Sequence, residues 1–181
     1  DLPADDSKSV NVTPLTTLIA AADAAEAKAA VLTALGISGS VEDLLTTDNW
    51  AAALAGDATA AATLRVSQQV AVLLQTAESL TGDDAGTAET RAVSIAQAVA
   101  AQIVSLAAAG GIDLTSSASL TAILEAAVLA VDTTSTLTSA VFSAVASAVS
   151  DINTIVGDAS LDPTSTEAAE VAEVAQTGLQ D

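Results

Sequence analysis

Apolar side chains recur at intervals of three and four residues along four long stretches of this chain, residues 58–80, 88–109, 117–131 and 134–156. This spacing puts them on one face of an α-helix, which has about 3.6 residues per turn. Because the loops between the stretches are short, the pattern predicts an all-α fold, an up-and-down bundle of four main helices. The predicted buried stripes are Val66, Val70, Leu73, Ala77 and Leu80; Ala92, Ala96, Val99, Ile103 and Leu106; Leu120, Ile123, Leu124, Ala127, Val128 and Val131; and Leu137, Val141, Val145, Val149, Ile152 and Val156.

Short helices are predicted before the bundle. Thr13 and Pro14 form a helix start, with a hydroxyl cap followed by a proline whose missing N–H is harmless there. The run from Asp23 to Glu26 has the form of a capping box and predicts either a second helix start or a kink, with a stop at Gly36. Further short helical segments are expected within residues 40–55.

The domain organisation follows from these signals. Residues 1–12 are expected to be a linker or the end of a preceding domain, because they are acidic and end in an alternating, strand-like Val-Asn-Val. Residues 13–160 are expected to form the helical bundle, and residues 161–181 a C-terminal acidic helix or linker. The chain contains no Met, even at position 1, so we expect it to be part of a longer translation product.

The core must be built almost without aromatic side chains, because the chain has one Trp, one Phe and no Tyr. Leu, Ile and Val are expected to pack through close contacts lined by Ala. Phe142 is predicted to lie in the core. Trp50 is predicted to be a core or corner residue, with an interface anchor as the alternative, since lone Trp residues are frequent binding hot spots.

The residue types that are absent limit the chemistry. Without Cys or His, the chain has no thiolate, no Cys-based zinc site and no Ser-His or Cys-His nucleophile. The adjacent carboxylates Glu42 and Asp43 show no sign of the burial that acid–base catalysis needs. We therefore predict that the chain is not an enzyme and has no catalytic or cofactor-binding residue.

The net charge of −19, from 23 acids and four bases, limits the partners. Nucleic acid and anionic membranes are repelled, so cations or cationic surfaces are the expected partners. The acidity suits a marine or halophilic exterior, and plain solubility explains it equally well. Residues 92–112 are uncharged but carry several Ser and Gln residues, so no membrane span is predicted.

Calcium is the cation that acidic loops bind most readily. Asp83 and Asp84 lie between Gly82 and Gly86 and are the predicted metal-binding residues, although the EF-hand pattern is absent. The alternative is that most acids cap helix starts or are solvated.

The stretch NVTPLTTLIAAADAAEAKAAVLTALGI, residues 11–37, carries a family resemblance. It resembles Ala-rich helical modules of very large, repetitive extracellular proteins of marine and other Gram-negative bacteria, most specifically in the VTPLTTL run. The resemblance covers about the first third of the chain. It implies a surface adhesin, an S-layer-like protein or a matrix protein, with the module following β-sandwich or cadherin-like repeats. It carries no binding residues.

These observations predict a non-enzymatic structural or interaction module of a large secreted or cell-surface bacterial protein. Its partners would be other domains of the parent protein, copies of itself, or divalent cations. One alternative is a phasin-like bundle that binds a lipid or polymer surface through an exposed apolar stripe. The other is a self-assembling subunit joined through outward-facing Val and Ala.

Overall fold

A computed structural model describes residues 11–81, 87–109, 112–168 and 170–171, and over these ranges it is all-helical and contains no strand. This confirms the all-α class. Eight helices are defined, and residues 166–168 begin a ninth helical segment. The helices are α1 (Pro14–Ala21), α2 (Ala25–Ala34), α3 (Val41–Thr46), α4 (Asn49–Leu54), α5 (Ala58–Ser79), α6 (Ala88–Ala108), α7 (Ser117–Val131) and α8 (Ser139–Val156).

The long helices α5, α6 and α7 match their predicted bounds to within one residue. Helix α8 begins at Ser139, five residues later than the predicted start at residue 134. The reason is local: the Oδ1 atom of Asp132 accepts hydrogen bonds from the backbone N–H of Thr134, at 3.0 Å, and from its hydroxyl, at 2.8 Å. Such side-chain bonds compete with helix formation, so the segment after α7 is a turn.

Two capping boxes start the short helices, but the predicted one at Asp23 is wrong. In α1 the Thr13 and Thr16 side chains each accept from the other's backbone N–H, at 3.1 and 2.7 Å. Ser40 and Asp43 form the same arrangement at α3. The N-cap of α2 is instead Ala24, which makes no side-chain cap bond. The stop at Gly36 is confirmed, with a φ of 68° that suits glycine.

Helix α1 is part of the core. It packs against both α5 and α6, and its Leu15, Leu18 and Ile19 side chains are almost fully buried. Helix α7 packs most extensively, against α6 and α8, and it also contacts α5. The N-terminal helices therefore cover the side of the long helices that would otherwise expose apolar residues of α5 and α6.

In α7 the predicted stripe is buried, except that Val131 is only partly buried. In α8 the buried residues differ from the predicted stripe. Val141 is 39% exposed, and the buried side of α8 starts instead from Phe142, whose predicted place in the core is confirmed. Residues spaced by four drift around a helix of about 3.6 residues per turn, so a row of valines does not stay on one face. In α6, Ala92 is exposed and Ile95 is buried.

A polar cluster at the C-terminal end of α8 joins three elements. The Gln69 amide donates from Nε2 to the Asn153 carbonyl oxygen at 2.9 Å, and Asn153 donates from Nδ2 to the Leu114 carbonyl oxygen at 2.8 Å. Gly157, the C-cap of α8, lies so close that an added Cβ would be 2.5 Å from Gln69 Nε2. The same Cβ would lie 2.9 Å from the Asn153 carbonyl oxygen, so an alanine here forces the Gln69 side chain and the local backbone to shift.

We predict that Gly157→Ala lowers the free energy of unfolding by about 1–3 kcal/mol, because the methyl group displaces the Gln69 amide from its buried acceptor. Urea unfolding followed by circular dichroism measures this change. In a Gln69→Ala background the methyl group gains space, and the same substitution should cost at least ~1 kcal/mol less. Equal costs in both backgrounds would contradict this explanation.

Candidate interaction site around Trp50

Trp50 lies on the short helix α4 and is 50% exposed, so its predicted place in the core is wrong. Leu54, one turn further along, is 63% exposed. Asp48 caps the helix, since its Oδ1 atom accepts from the Ala51 N–H at 2.9 Å. The alternative role of Trp50 as an interface anchor stays a prediction. The exposure of both Trp50 and Leu54 favours this role.

The indole borders a groove of about 190 Å³ formed where α1, α3, α4 and α5 meet. We call it the Trp50 groove. Apolar lining comes from Leu15, Leu44 and Leu64, and polar lining includes Asn11, Asp48 and Asn49. Leu15 and Leu44 are buried core residues, so the groove rests on well-packed structure.

Hydrogen bonds fix the polar side of the Trp50 groove. The Asn11 N–H donates to the Leu45 carbonyl oxygen at 3.0 Å, and the Asn11 amide Nδ2 donates to the Thr47 carbonyl oxygen. Asn49 Nδ2 lies 3.4 Å from the same Thr47 oxygen. These bonds tie the segment before α1 to the end of α3. Asn11 and Val12 have no regular secondary structure, and Val10 lies outside the described residues.

The surroundings of the groove are acidic. Residues 29–64 contain the acids Glu42, Asp43, Asp48 and Asp57 and no base. Hydrogen bonds from the Ser40 backbone and hydroxyl lower the pKa of Asp43 below its ordinary value, so this carboxylate stays charged at neutral pH. A neighbouring cavity of about 150 Å³ includes Asp43 and Asp57 in its lining. The charged residues that line the two cavities, Asp48, Asp43 and Asp57, are therefore all acidic.

Several carboxylates accept hydrogen bonds from backbone N–H groups close to them in the sequence. Asp48 and Asp57 cap helices, and a second set accepts from the N–H two residues further on. Within the described ranges, no group of three or more acidic side chains is placed to hold a metal ion. Asp83 and Asp84 lie outside the described residues. The second set is Asp113, Asp132, Asp158 and Asp162.

Arg65 holds the segment that follows α8. Its Nη2 atom donates to the carbonyl oxygens of Ala159, at 3.1 Å, and Leu161, at 3.0 Å. Gln68, on the same helix, donates from Nε2 to the Pro163 carbonyl oxygen at 3.3 Å. The guanidinium thus covers backbone carbonyls beyond the end of α8.

Two helices, Ala88–Ala108 and Ser139–Val156, are long and apolar enough to cross a membrane by length and composition alone. Core helices of soluble proteins meet the same criterion. In each helix, 28% of the most apolar stretch of 18 residues is buried inside the structure. The sequence-based expectation that no segment spans a membrane therefore stays a prediction.

The two aromatic residues should respond differently to truncation. Phe142→Ala is expected to lower the free energy of unfolding by about 3–5 kcal/mol, because it opens a cavity in the core. Trp50→Ala is expected to lower it by less than about 1.5 kcal/mol, because half of the indole is already in water. Denaturant unfolding of the two variants measures both values. A loss at Trp50 as large as that at Phe142 would make the indole a core residue.

Calcium binding by Asp83 and Asp84 predicts a calcium-specific rise in melting temperature, because a ligand of the folded state stabilises it by mass action. Circular dichroism melts in EDTA, in millimolar calcium and in sodium chloride of equal ionic strength measure this rise. The rise should disappear in the double variant Asp83→Asn, Asp84→Asn. Equal rises in calcium and sodium chloride would instead indicate general screening of the −19 charge.

Comparisons of the chain with protein-family models, with curated proteins and with solved structures find no match. The resemblance of residues 11–37 to helical modules of bacterial surface proteins therefore stays a prediction. The interpretation of the Trp50 groove depends on its geometry and charge alone.

Proposed function

We propose that this chain is a non-enzymatic helical module of a large secreted or cell-surface bacterial protein, acting as a spacer, adhesion or assembly domain. The observation that carries the proposal is the half-exposed Trp50 at the edge of a hydrogen-bonded groove. A large aromatic side chain kept in water on a rigid surface is typical of a protein-binding site. In this proposal the helices α5 to α8 form the up-and-down bundle, and α1 to α4 carry the contact surface.

Burial of the apolar stripe on α6 supports a module over a lipid or polymer carrier. A carrier needs an exposed apolar stripe on α6 or α8. The central stripe residues Val99 and Ile103 of α6 and Val149 of α8 are fully buried, whereas Val141 and Ile155 of α8 are exposed. The apolar surface of the buried residues is already used in the core, where each buried side chain contributes about 1.5–3 kcal/mol to folding.

The self-assembling subunit remains the second candidate because a few large apolar side chains are exposed on the long helices. The exposed fraction is between 39% and 52% for Val93, Leu129, Val141 and Ile155. They are distributed over three helices, one or two to a helix. Single exposed apolar residues are ordinary on protein surfaces, so we rank assembly through them below the Trp50 groove.

Sedimentation velocity over a wide concentration range tests the proposal, together with co-sedimentation with zwitterionic lipid vesicles. We expect one species with the mass of a single chain and no protein in the vesicle pellet. Concentration-dependent oligomers that dissociate in the double variant Val141→Ser, Ile155→Ser would support the self-assembling subunit. Protein in the vesicle pellet would support the carrier. Either result would replace the proposed function.

A further inference from the structure

We propose that the Trp50 groove binds a basic segment of a partner protein, with one lysine or arginine side chain seated between the Trp50 indole and the Asp48 carboxylate. This inference rests on the proposed function as an interaction module and names the chemistry of the partner. It follows from the aromatic surface, the charge, the size and the acceptor groups of the groove.

The aromatic surface is the first argument. Trp offers the strongest aromatic surface for a cation, and such contacts contribute roughly 0.5–2 kcal/mol depending on solvent exposure. Half of the Trp50 side chain is accessible while the residue also lines the groove. A ligand in the groove therefore lies beside Trp50.

Charge complementarity is the second argument. Asp48 is exposed and lines the groove, and its cap bond to Ala51 uses the Oδ1 atom only. A carboxylate has about four acceptor positions on two oxygens, so Asp48 can accept further donors without leaving the helix start. The stretch from residue 29 to residue 64 has four acids and no base. An acidic segment would be repelled, and a basic segment would be attracted within about 8 Å, the Debye length at physiological salt.

The size of the groove is the third argument. Pockets that enclose whole small molecules measure roughly 300–1,000 Å³, whereas this groove measures about 190 Å³. It is suited to one long side chain. Leu64, which is partly exposed, provides apolar contact for the methylene stem beside Trp50, while the charged end of lysine or arginine stays near water and Asp48.

The polar lining is the fourth argument. Asn11 and Asn49 both donate from Nδ2 to the Thr47 carbonyl oxygen. An amide that uses its nitrogen in this way retains acceptor capacity on its oxygen. Acceptors near a carboxylate fit the N–H groups of a guanidinium or ammonium.

Fluorescence anisotropy of a fluorescein-labelled peptide of alternating arginine and glycine, titrated with the full chain, tests the proposal. A second titration uses unlabelled peptide and follows the emission of Trp50. Since the chain has one Trp and no Tyr, its intrinsic emission reports on this groove alone. The variants are Trp50→Ala, Trp50→Leu and Asp48→Asn, with Asp132→Asn as the matched control. Asparagine is as good an N-cap as aspartate, so Asp48→Asn removes charge and keeps α4.

We expect Trp50→Ala and Trp50→Leu to weaken peptide binding about 5- to 10-fold, in line with the loss of a cation–π contact. Trp50→Leu keeps an apolar contact, so an equal loss there assigns the effect to the aromatic ring. Asp48→Asn should weaken binding about 3- to 5-fold, and Asp132→Asn less than about twofold, since both remove one charge but only Asp48 lines the groove. The emission of Trp50 should change on binding.

Three results would overturn the proposal. Equal weakening by Asp48→Asn and Asp132→Asn, with no effect of Trp50→Leu, would mean diffuse attraction by the net charge. An unchanged Trp50 emission would place the peptide elsewhere. Absence of binding at low salt would exclude a basic partner. None of these results alters the sedimentation behaviour, so a monomeric module that fails here retains its proposed function and loses only the assigned partner.

Discussion

Close packing of small and branched aliphatic side chains, with a single large aromatic residue at Phe142, is the constraint on which the rest of the structure depends. Aromatic side chains normally supply a large share of the area buried in a core. This chain has almost none, and its connections are held by polar side chains that donate to backbone carbonyls. Each such bond contributes about 0.5–1.5 kcal/mol. The side chains are Arg65, Gln68, Gln69, Ser150 and Asn153.

The abundant hydroxyl residues fit the same scheme. In the helices, buried Thr63 and Thr76 donate to the carbonyl oxygen four residues earlier, at 3.0 and 2.7 Å. A threonine satisfied in this way can be buried without leaving an unpaired polar group. The helices thus tolerate a composition of only moderate helix propensity, because packing supplies the stability and the hydroxyls bond within their own helix.

The sequence predicted the long helices well because their apolar periodicity extends over many turns, which dilutes local errors. It failed at Asp23, because the N-cap of α2 is Ala24 and has no side-chain bond, and at the start of α8, because Asp132 holds the preceding segment in a turn. The sequence indicated Trp50 as a lone tryptophan but did not predict the groove beside it. Its lining comes from four separate helices, and no local pattern shows that Leu64 and Asp48 meet beside an exposed indole.

The turns that aspartates form with the backbone have a consequence for acid solutions. Hydrogen bonds from Ser160 and Thr164 lower the pKa of Asp158 and Asp162, with a smaller contribution from Arg65. A carboxylate with a lowered folded-state pKa stabilises the fold above its unfolded value, about 3.9, and loses this contribution as the pH falls through the folded value. The core contains no such group among its buried apolar residues. Below about pH 3.9, acid therefore weakens the turns that follow α8, while the buried apolar contacts carry no group that acid can protonate.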